Sequence, residues 1–236
     1  MTGLRNAVAV AKYTAADGAL LLRFATAADT VSGATIEGLA SPLLAGTHAV
    51  DLVEGDRRRS LELTIMPRGK VFDLVADGDG GRISARGMGI ADPEFPDSLL
   101  VSWWCSEQRP AGIVKYELGD EPGTIVPTYT SIMLEATGFN DVLGGRATGD
   151  TKHGFPGSYS ITYEGEGGTS FGPFDWTITP RGAVLDLTWD AGGARVIDGF
   201  GFVDPDSSHS IVVVYWGAGQ HAPGEKDEKE VGDAGR

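Results

Sequence analysis

Phenol and indole side chains recur at alternating positions in the second half of the chain. Tyr159 and Tyr163 lie on either side of Ile161, and Trp176 and Trp189 follow in later apolar runs. A tyrosine hydroxyl can donate or accept a proton, and both Tyr O–H and Trp N–H need hydrogen-bond partners when they are buried. Inside a small fold, such groups suit a cavity for water or a planar ligand, and they equally suit a bulky packed core.

Signals for other chemistry are absent. His48, His153, His209 and His221 have no metal-ligand spacing, and neither a Gly-x-x-x-x-Gly-Lys loop nor a Gly-x-Ser-x-Gly elbow occurs. Cys105 is the single cysteine, which excludes an internal disulfide. The sequence therefore predicts no metal and no cofactor, and any catalysis would use Tyr, Asp, Glu or His as acid or base.

Charge and hydropathy restrict the partners and the location. The net charge is -14, and only 19 Lys and Arg residues are present, which argues against nucleic acid as a partner. The start of the chain has no charged lead followed by a long apolar run, and no later run approaches the roughly 18 apolar residues of a membrane helix. We expect a cytoplasmic protein without a membrane partner.

The elements that must position these side chains are repeated. Residues 64–74 reappear as residues 177–187 at an offset of 113, with eight of eleven positions identical. Identical residues further along the chain continue the match: Gly87, Gly89, Asp92-Pro93 and Trp103 are aligned with Gly199, Gly201, Asp204-Pro205 and Trp216. The pattern predicts two copies, 1–110 and 111–219, followed by a disordered acidic tail at 220–236.

Each copy has the pattern of short strands separated by turn residues. Alternation gives each strand one apolar face, for example His48, Val50 and Leu52 opposite Thr47 and Asp51. In the first copy eight strands are predicted, at residues 7–14, 19–26, 34–41, 47–54, 60–66, 70–76, 82–91 and 98–105. Short connectors favour an antiparallel meander, and closing it into a barrel removes two open sheet edges.

The strand number, the hairpin spacing and the glycine-rich strands resemble avidin-like and lipocalin-like barrels. The resemblance covers both copies and implies an interior that holds packed side chains or one small ligand. The predicted fold is all-β, with two tandem eight-stranded antiparallel up-and-down barrels packed as a pseudo-symmetric pair. Strand eight is apolar on both faces, so the other copy or a second chain should cover it, and a homodimer through this strand is possible.

Comparison of the copies separates scaffold from candidate site. Positions kept in both copies, such as 67–69 with 180–182 and the two Asp-Pro pairs, are interpreted as turns, with Pro at the first central position of the Pro-Arg-Gly turn. Inward positions that differ are interpreted as specialised. The first copy has Phe24, His48, Leu52, Leu63 and Ala76 where the second has Tyr129, Tyr159, Tyr163, Trp176 and Trp189. The predicted ligand-binding residues are Tyr129, Tyr159, Tyr163, Trp176, Trp189, Phe200, Trp216, His48 and Trp103.

Three functional hypotheses follow from the sequence. The first is binding of a small apolar or aromatic molecule inside a barrel, with the second barrel as the expected site. The second is a cofactor-independent cyclase or isomerase that acts on a hydrophobic, natural-product-like substrate through phenols such as Tyr159 and Tyr163. The third is an assembly or interaction module that carries no ligand.

Overall fold

The computed structural model describes residues 8–26, 30–78, 83–105, 110–132, 138 and 140–219, and it contains two closed eight-stranded antiparallel barrels in tandem. The first barrel consists of β1 (Val8–Ala16), β2 (Ala19–Thr26), β3 (Val31–Glu37), β4 (Gly46–Glu54), β5 (Arg57–Arg68), β6 (Val71–Gly78), β7 (Ile83–Ala91) and β8 (Ser98–Trp104). The predicted fold class and the eight strands of the first copy are confirmed.

The second barrel repeats this order. It consists of β9 (Gly112–Leu118), β10 (Thr124–Ser131), β11 (Gly145–Gly149), β12 (Gly157–Glu164), β13 (Ser170–Arg181), β14 (Val184–Ala191), β15 (Ala194–Val203) and β16 (Ser210–Gly217). In each barrel the last strand pairs with the first, β8 with β1 and β16 with β9, which closes the sheet. The predicted tail and most of the predicted connection between the copies, residues 106–109, lie outside the described residues. None of the helical segments in the described parts of the chain has the length and apolarity of a membrane span.

The repeated Pro-Arg-Gly segment forms a hairpin corner in both barrels. Arg68 pairs with Val71 across the hairpin, so Gly69 and Lys70 alone make the turn, with Gly69 at a φ of +64°. A two-residue hairpin turn needs positive φ, which glycine adopts without strain. The expected placement of Pro67 at the first central turn position is therefore wrong, because Pro67 lies in β5 opposite Phe72.

An arginine–aspartate pair explains why this segment is kept beyond its turn. Arg68 Nε lies 3.1 Å from Asp73 Oδ2, and Arg181 Nε lies 2.7 Å from Asp186 Oδ2. Each pair connects the two strands of its hairpin beside the turn. The aspartate of the repeat thus belongs to the scaffold.

The two barrels pack through an apolar surface that we call the inter-barrel cluster. It is formed by side chains on the outer faces of β1, β7 and β8 and of β9, β15 and β16, with a few from neighbouring strands. Its buried members are Val8, Val10, Ala25, Val71, Met88, Ile90, Leu100, Trp104, Ile113, Val184, Phe200, Phe202, Val212, Val214 and Trp216. This contact provides the cover expected for the outer face of strand eight, and a homodimer through that strand stays a prediction.

Four fully buried charges lie between the barrels, and we call them the ionic cluster: Lys12, Lys115, Asp92 and Asp204. Lys12 Nζ lies 2.7 Å from Asp204 Oδ1, and Lys115 Nζ lies 2.6 Å from Asp92 Oδ1, so each lysine binds the aspartate of the other copy. Lys12 Nζ also lies 3.0 Å from Asp92 Oδ2. Buried charges persist only when they are paired in this way.

Hydrogen bonds favour the charged forms of Lys12 and Asp92 in the ionic cluster. Burial lowers the pKa of Lys12, but hydrogen bonds to Asp204, Asp92 and Asp206 outweigh this effect and raise it above its usual value. Burial raises the pKa of Asp92, but Lys115, the Glu94 backbone N–H and Lys12 together hold it below its usual value. The Asp92 carboxylate also accepts the Glu94 N–H at 3.0 Å, as expected for a residue that caps the turn before strand eight.

Removing one lysine should destabilise the whole chain. We expect Lys115→Met to lower the free energy of unfolding by about 3–5 kcal/mol, because it leaves a buried carboxylate without its closest partner. Urea unfolding followed by circular dichroism measures the change. Arg58→Met is the matched control, because Arg58 pairs with Asp51 and Glu37 at the exposed surface. A loss for Lys115→Met no larger than that of the control contradicts this role.

Candidate functional site

The first barrel contains an open cavity at one rim. This rim, which we call the cavity rim, is where β1, β3, β5 and β7 begin and where β2, β4, β6 and β8 end. The cavity offers about 70 Å³ to the centres of water-sized molecules. One water needs roughly 10–15 Å³ on that scale, so the space exceeds that of a single ordered water several-fold.

Small and apolar side chains make the cavity wall. Ala9, Ala11, Ala76 and Ala85 contribute from β1, β6 and β7, and the remaining apolar wall comes from residues such as Leu22, Ile36, Leu52 and Leu63. Alternation along each strand directs these residues inward. The cavity therefore has an apolar wall, with empty space next to the alanines.

The cavity exists because two indoles of the second barrel have small counterparts in the first. Leu63 pairs with Ala76 across β5 and β6, and Trp176 pairs with Trp189 across β13 and β14. The two pairs hold the same place in the two copies. Replacing two large aromatic side chains by a leucine and an alanine leaves volume that no other side chain fills.

Neighbouring positions add to this difference. Ala76 also pairs with Ala85 on β7, whereas Trp189 pairs with Ile197 on β15. On β2, Phe24 lies opposite Ala11, and its counterpart Tyr129 lies opposite Val114. The first copy therefore has the smaller residue at each of these interior positions.

Aromatic side chains fill the interior of the second barrel. The ring centroids of Tyr116 and Trp176 are 4.6 Å apart, those of Tyr159 and Trp176 are 5.3 Å apart, and those of Trp176 and Trp189 are 6.0 Å apart. Tyr129 packs edge-on against Tyr163 at 5.2 Å. These are contact distances for aromatic pairs, so the rings form a packed core.

The phenols of that core bind one another and the backbone. Tyr116 and Tyr163 share a hydroxyl–hydroxyl hydrogen bond of 2.6 Å, and Trp189 Nε1 donates to the Tyr163 hydroxyl at 2.8 Å. Tyr129 donates to the Glu164 carbonyl at 2.6 Å, and Tyr159 donates to the Phe155 carbonyl at 2.8 Å. These tyrosine hydroxyls and the Trp189 N–H therefore find their hydrogen-bond partners within the protein.

Burial also keeps these hydroxyls protonated. It raises the pKa of Tyr116 and of Tyr163 far above the usual value for a phenol, and it raises the pKa of Tyr129 to about 12. Neutral phenols of this kind are poor proton acceptors at neutral pH. They serve the packing of the second barrel.

The predicted ligand-binding residues thus fall into separate places. Trp103 lines the cavity of the first barrel. Tyr129, Tyr159, Tyr163, Trp176 and Trp189 belong to the core of the second barrel. His48 is half-buried near the rim opposite the cavity rim, where its Nε2 lies 3.0 Å from the Leu44 carbonyl oxygen.

Phe200 and Trp216 lie outside both barrel interiors, in the inter-barrel cluster. We expected both side chains to face a barrel interior, and the structure corrects this. The strand register explains the difference. Gly87 pairs with Trp103 and Gly199 pairs with Tyr215, so the counterpart of Trp103 is Tyr215, one residue before Trp216. A slip of one residue turns every side chain of a strand to the other face.

Polar groups of the cavity lie at its wall and at its mouth. Trp103 and Tyr13 project into the interior, with ring centroids 6.5 Å apart. Burial raises the pKa of Tyr13 well above its usual value, and a side-chain hydrogen bond with Trp103 offsets this only in part. Arg59, Asp77 and Cys105 lie at the cavity rim, where burial raises the pKa of the Cys105 thiol.

Comparison with known proteins adds no family. No protein-family model matches the chain, and no curated protein matches it. Among solved structures, the chain is similar to a porin-like protein from Bacteroides uniformis ATCC 8492 at 9% sequence identity, with 90% of this chain and 96% of that chain covered. The TM-score of that match is 0.21, which carries no argument about fold or function.

Exchanging the paired interior residues should show which barrel has spare volume. We expect Trp189→Ala to lower the free energy of unfolding by about 3–5 kcal/mol, because it empties a packed core. Ala76→Trp should cost less, since the new indole enters existing space, although overpacking commonly costs about 1–3 kcal/mol. Urea unfolding of both variants measures the difference. A larger loss for Ala76→Trp contradicts an open first barrel.

Proposed function

We propose that the first barrel binds a small, largely apolar molecule in its cavity. The observation that carries the proposal is the contrast between two copies of one fold. The second copy fills its interior with Trp176 and Trp189, whereas the first leaves space beside Leu63 and Ala76. An open interior is therefore not a requirement of this fold, and empty space in a core costs stability unless a ligand occupies it.

The chemistry of the wall indicates the class of ligand. Alanine and leucine side chains supply apolar contact, and Phe24 and Trp103 supply aromatic faces on which a planar group can stack. Charged side chains occur at the cavity rim, where Arg59 and Asp77 are half-buried. This arrangement favours a ligand with an apolar body inside the barrel and any polar substituent toward the mouth.

The proposal moves the binding site from the second barrel, where the sequence predicts it, to the first. The cyclase or isomerase hypothesis loses the two phenols on which it depends, because Tyr159 and Tyr163 lie in the filled barrel. The packed interior of the second barrel is compatible with the interaction-module hypothesis, but the apolar outer face of strand eight already contacts the other copy. The cytoplasmic location predicted from the sequence stays part of the proposal.

Filling the cavity with a larger side chain should weaken ligand binding. We expect native mass spectrometry and tryptophan fluorescence to detect a bound small apolar or aromatic compound when the full chain is titrated with a metabolite library. Ala76→Trp should weaken that binding at least tenfold, because its indole occupies the ligand space.

The control is Ala49→Trp, which adds the same side chain at an exposed position of β4. It should bind the compound as the unmodified chain does. If no compound of the library binds, or if Ala76→Trp binds as well as the control, the cavity is not a ligand site.

A further inference from the structure

Arg59 is a cationic residue on the inward face of β5, at the mouth of the first barrel. The residues at the next alternate positions, Leu61 and Leu63, contribute to the apolar core, and so does Leu52, which pairs with Arg59 across β4 and β5. Side chains two residues apart on a strand share a face, as do paired residues of neighbouring strands. Arg59 is half-buried and lines the cavity, so its side chain is accessible to a molecule at the mouth.

The guanidinium of Arg59 has no ion-pair or hydrogen-bond partner in the described part of the chain. Its neighbour Arg58, on the opposite face of β5, has two, since it lies 2.7 Å from Asp51 Oδ2 and 2.7 Å from Glu37 Oε2. Carboxylates are abundant in this chain, with 33 Asp and Glu residues against 19 Lys and Arg. The lack of a partner is therefore particular to the position of Arg59.

Strand register places the carboxylates near the cavity rim away from Arg59. Asp77 pairs across β5 and β6 with Glu62, which is exposed on the outer face of the barrel. Glu54 pairs with Arg57 at the tip of the hairpin between β4 and β5. Among the described residues, neither Asp77 nor Glu54 forms an ion pair with Arg59. The mouth thus presents a cation whose hydrogen-bond donors are available to a ligand.

The second copy has uncharged residues at the matching place. Tyr163, the counterpart of Leu52, pairs with Phe171, and the repeat offset of 113 leads from Arg59 to Gly172. The filled barrel therefore has neither the cavity nor the arginine. Both features occur together in the first copy, as expected for two parts of one site.

A ligand that covers the mouth removes water from the guanidinium. A purely apolar ligand would leave the partly dehydrated charge without compensation, which weakens its binding. A carboxylate can instead accept two parallel N–H bonds from the planar guanidinium, and such charge-assisted pairs are stronger than neutral hydrogen bonds. The position of Arg59 therefore favours an anionic group on the ligand.

We infer that the ligand of the first barrel carries a carboxylate that binds Arg59 at the mouth while its apolar body fills the cavity. Aryl- and alkyl-carboxylic acids form this class. The inference deepens the proposed function and rests on it, since it names the charged group that the cavity selects.

Two probes of nearly the same shape test the inference: 3-phenylpropanoate and 3-phenylpropanamide, which differ by a carboxylate in place of a carboxamide. Their dissociation constants are measured at neutral pH by NMR titration of the full chain and of Arg59→Gln, which keeps a polar side chain and removes the charge. We expect Arg59→Gln to weaken the carboxylate by about five- to twentyfold more than the amide, because a half-buried charge pair is only partly screened by water. Comparing the two ratios cancels any change in the shape of the mouth.

Arg58→Gln is the matched control, because it removes the same charge from the next residue of β5 on the outer face. It should leave the preference for the carboxylate unchanged. Arg59→Glu gives a second readout, since it should bind 3-phenylpropylammonium more tightly than the unmodified chain does. Circular dichroism spectra report that each variant is folded.

The outcomes separate the inference from the proposed function. If both probes bind but Arg59→Gln weakens them by the same factor, or if Arg58→Gln lowers the preference as much as Arg59→Gln does, the cavity is a ligand site and the carboxylate inference is overturned. Unchanged binding of 3-phenylpropylammonium to Arg59→Glu overturns the inference as well. If neither probe binds but a neutral compound of the metabolite library does, the inference is overturned and the proposed function stands. If no compound binds, both fail.

Discussion

A closed barrel of eight strands encloses an interior whose size is set by strand number and stagger, so side chains or a ligand must fill it. The two copies of this chain meet that constraint differently. In the second, Trp176 and Trp189 stack at the centre and phenols surround them. In the first, Leu63 and Ala76 occupy the same places and the interior stays open at one rim. The functional account depends on this difference in volume between two otherwise matched scaffolds.

The two barrels are joined through surfaces that neither copy satisfies alone. Lys12 takes its closest carboxylate from Asp204 and Lys115 takes its closest from Asp92, so each buried charge depends on the other copy. The inter-barrel cluster adds a continuous apolar contact around β1, β8, β9 and β16. A barrel separated from its partner would expose that apolar surface to water and would separate each lysine from its closest carboxylate. The two barrels therefore stabilise each other through this contact.

Most of the fold follows from the sequence, because strand alternation is a local pattern and the repeat is visible when the two halves of the chain are aligned. The same comparison of copies correctly paired Phe24 with Tyr129 and Ala76 with Trp189, as the strand registers show. It failed at the end of strand eight, where aligning Trp103 with Trp216 introduced a slip of one residue. The offset between Asp92 and Asp204 is one residue shorter than that between the hairpin segments, and applying it would have aligned Trp103 with Tyr215.

Which of the two barrels contains the cavity was harder to predict, because the empty volume depends on how all the interior side chains pack together. Inward-facing aromatic residues are equally typical of a ligand site and of a packed core, and in the second copy they form a core. Alanines carry no signal by themselves, so the cavity beside Ala76 is visible only once Trp189 is known to fill the matching place. The ionic cluster was missed for the same reason, since Lys12 and Asp204 are brought together only by the packing of the two barrels.

Xenon provides the most direct test of the central claim, because it enters apolar cavities in proteins without chemical preference. Crystals of the full chain equilibrated under xenon pressure report, by anomalous diffraction, where the open apolar volume lies. The account predicts a xenon atom in the first barrel, between Ala76, Phe24 and Trp103, and none between Trp176 and Trp189. Xenon in the second barrel with the first one empty would contradict it.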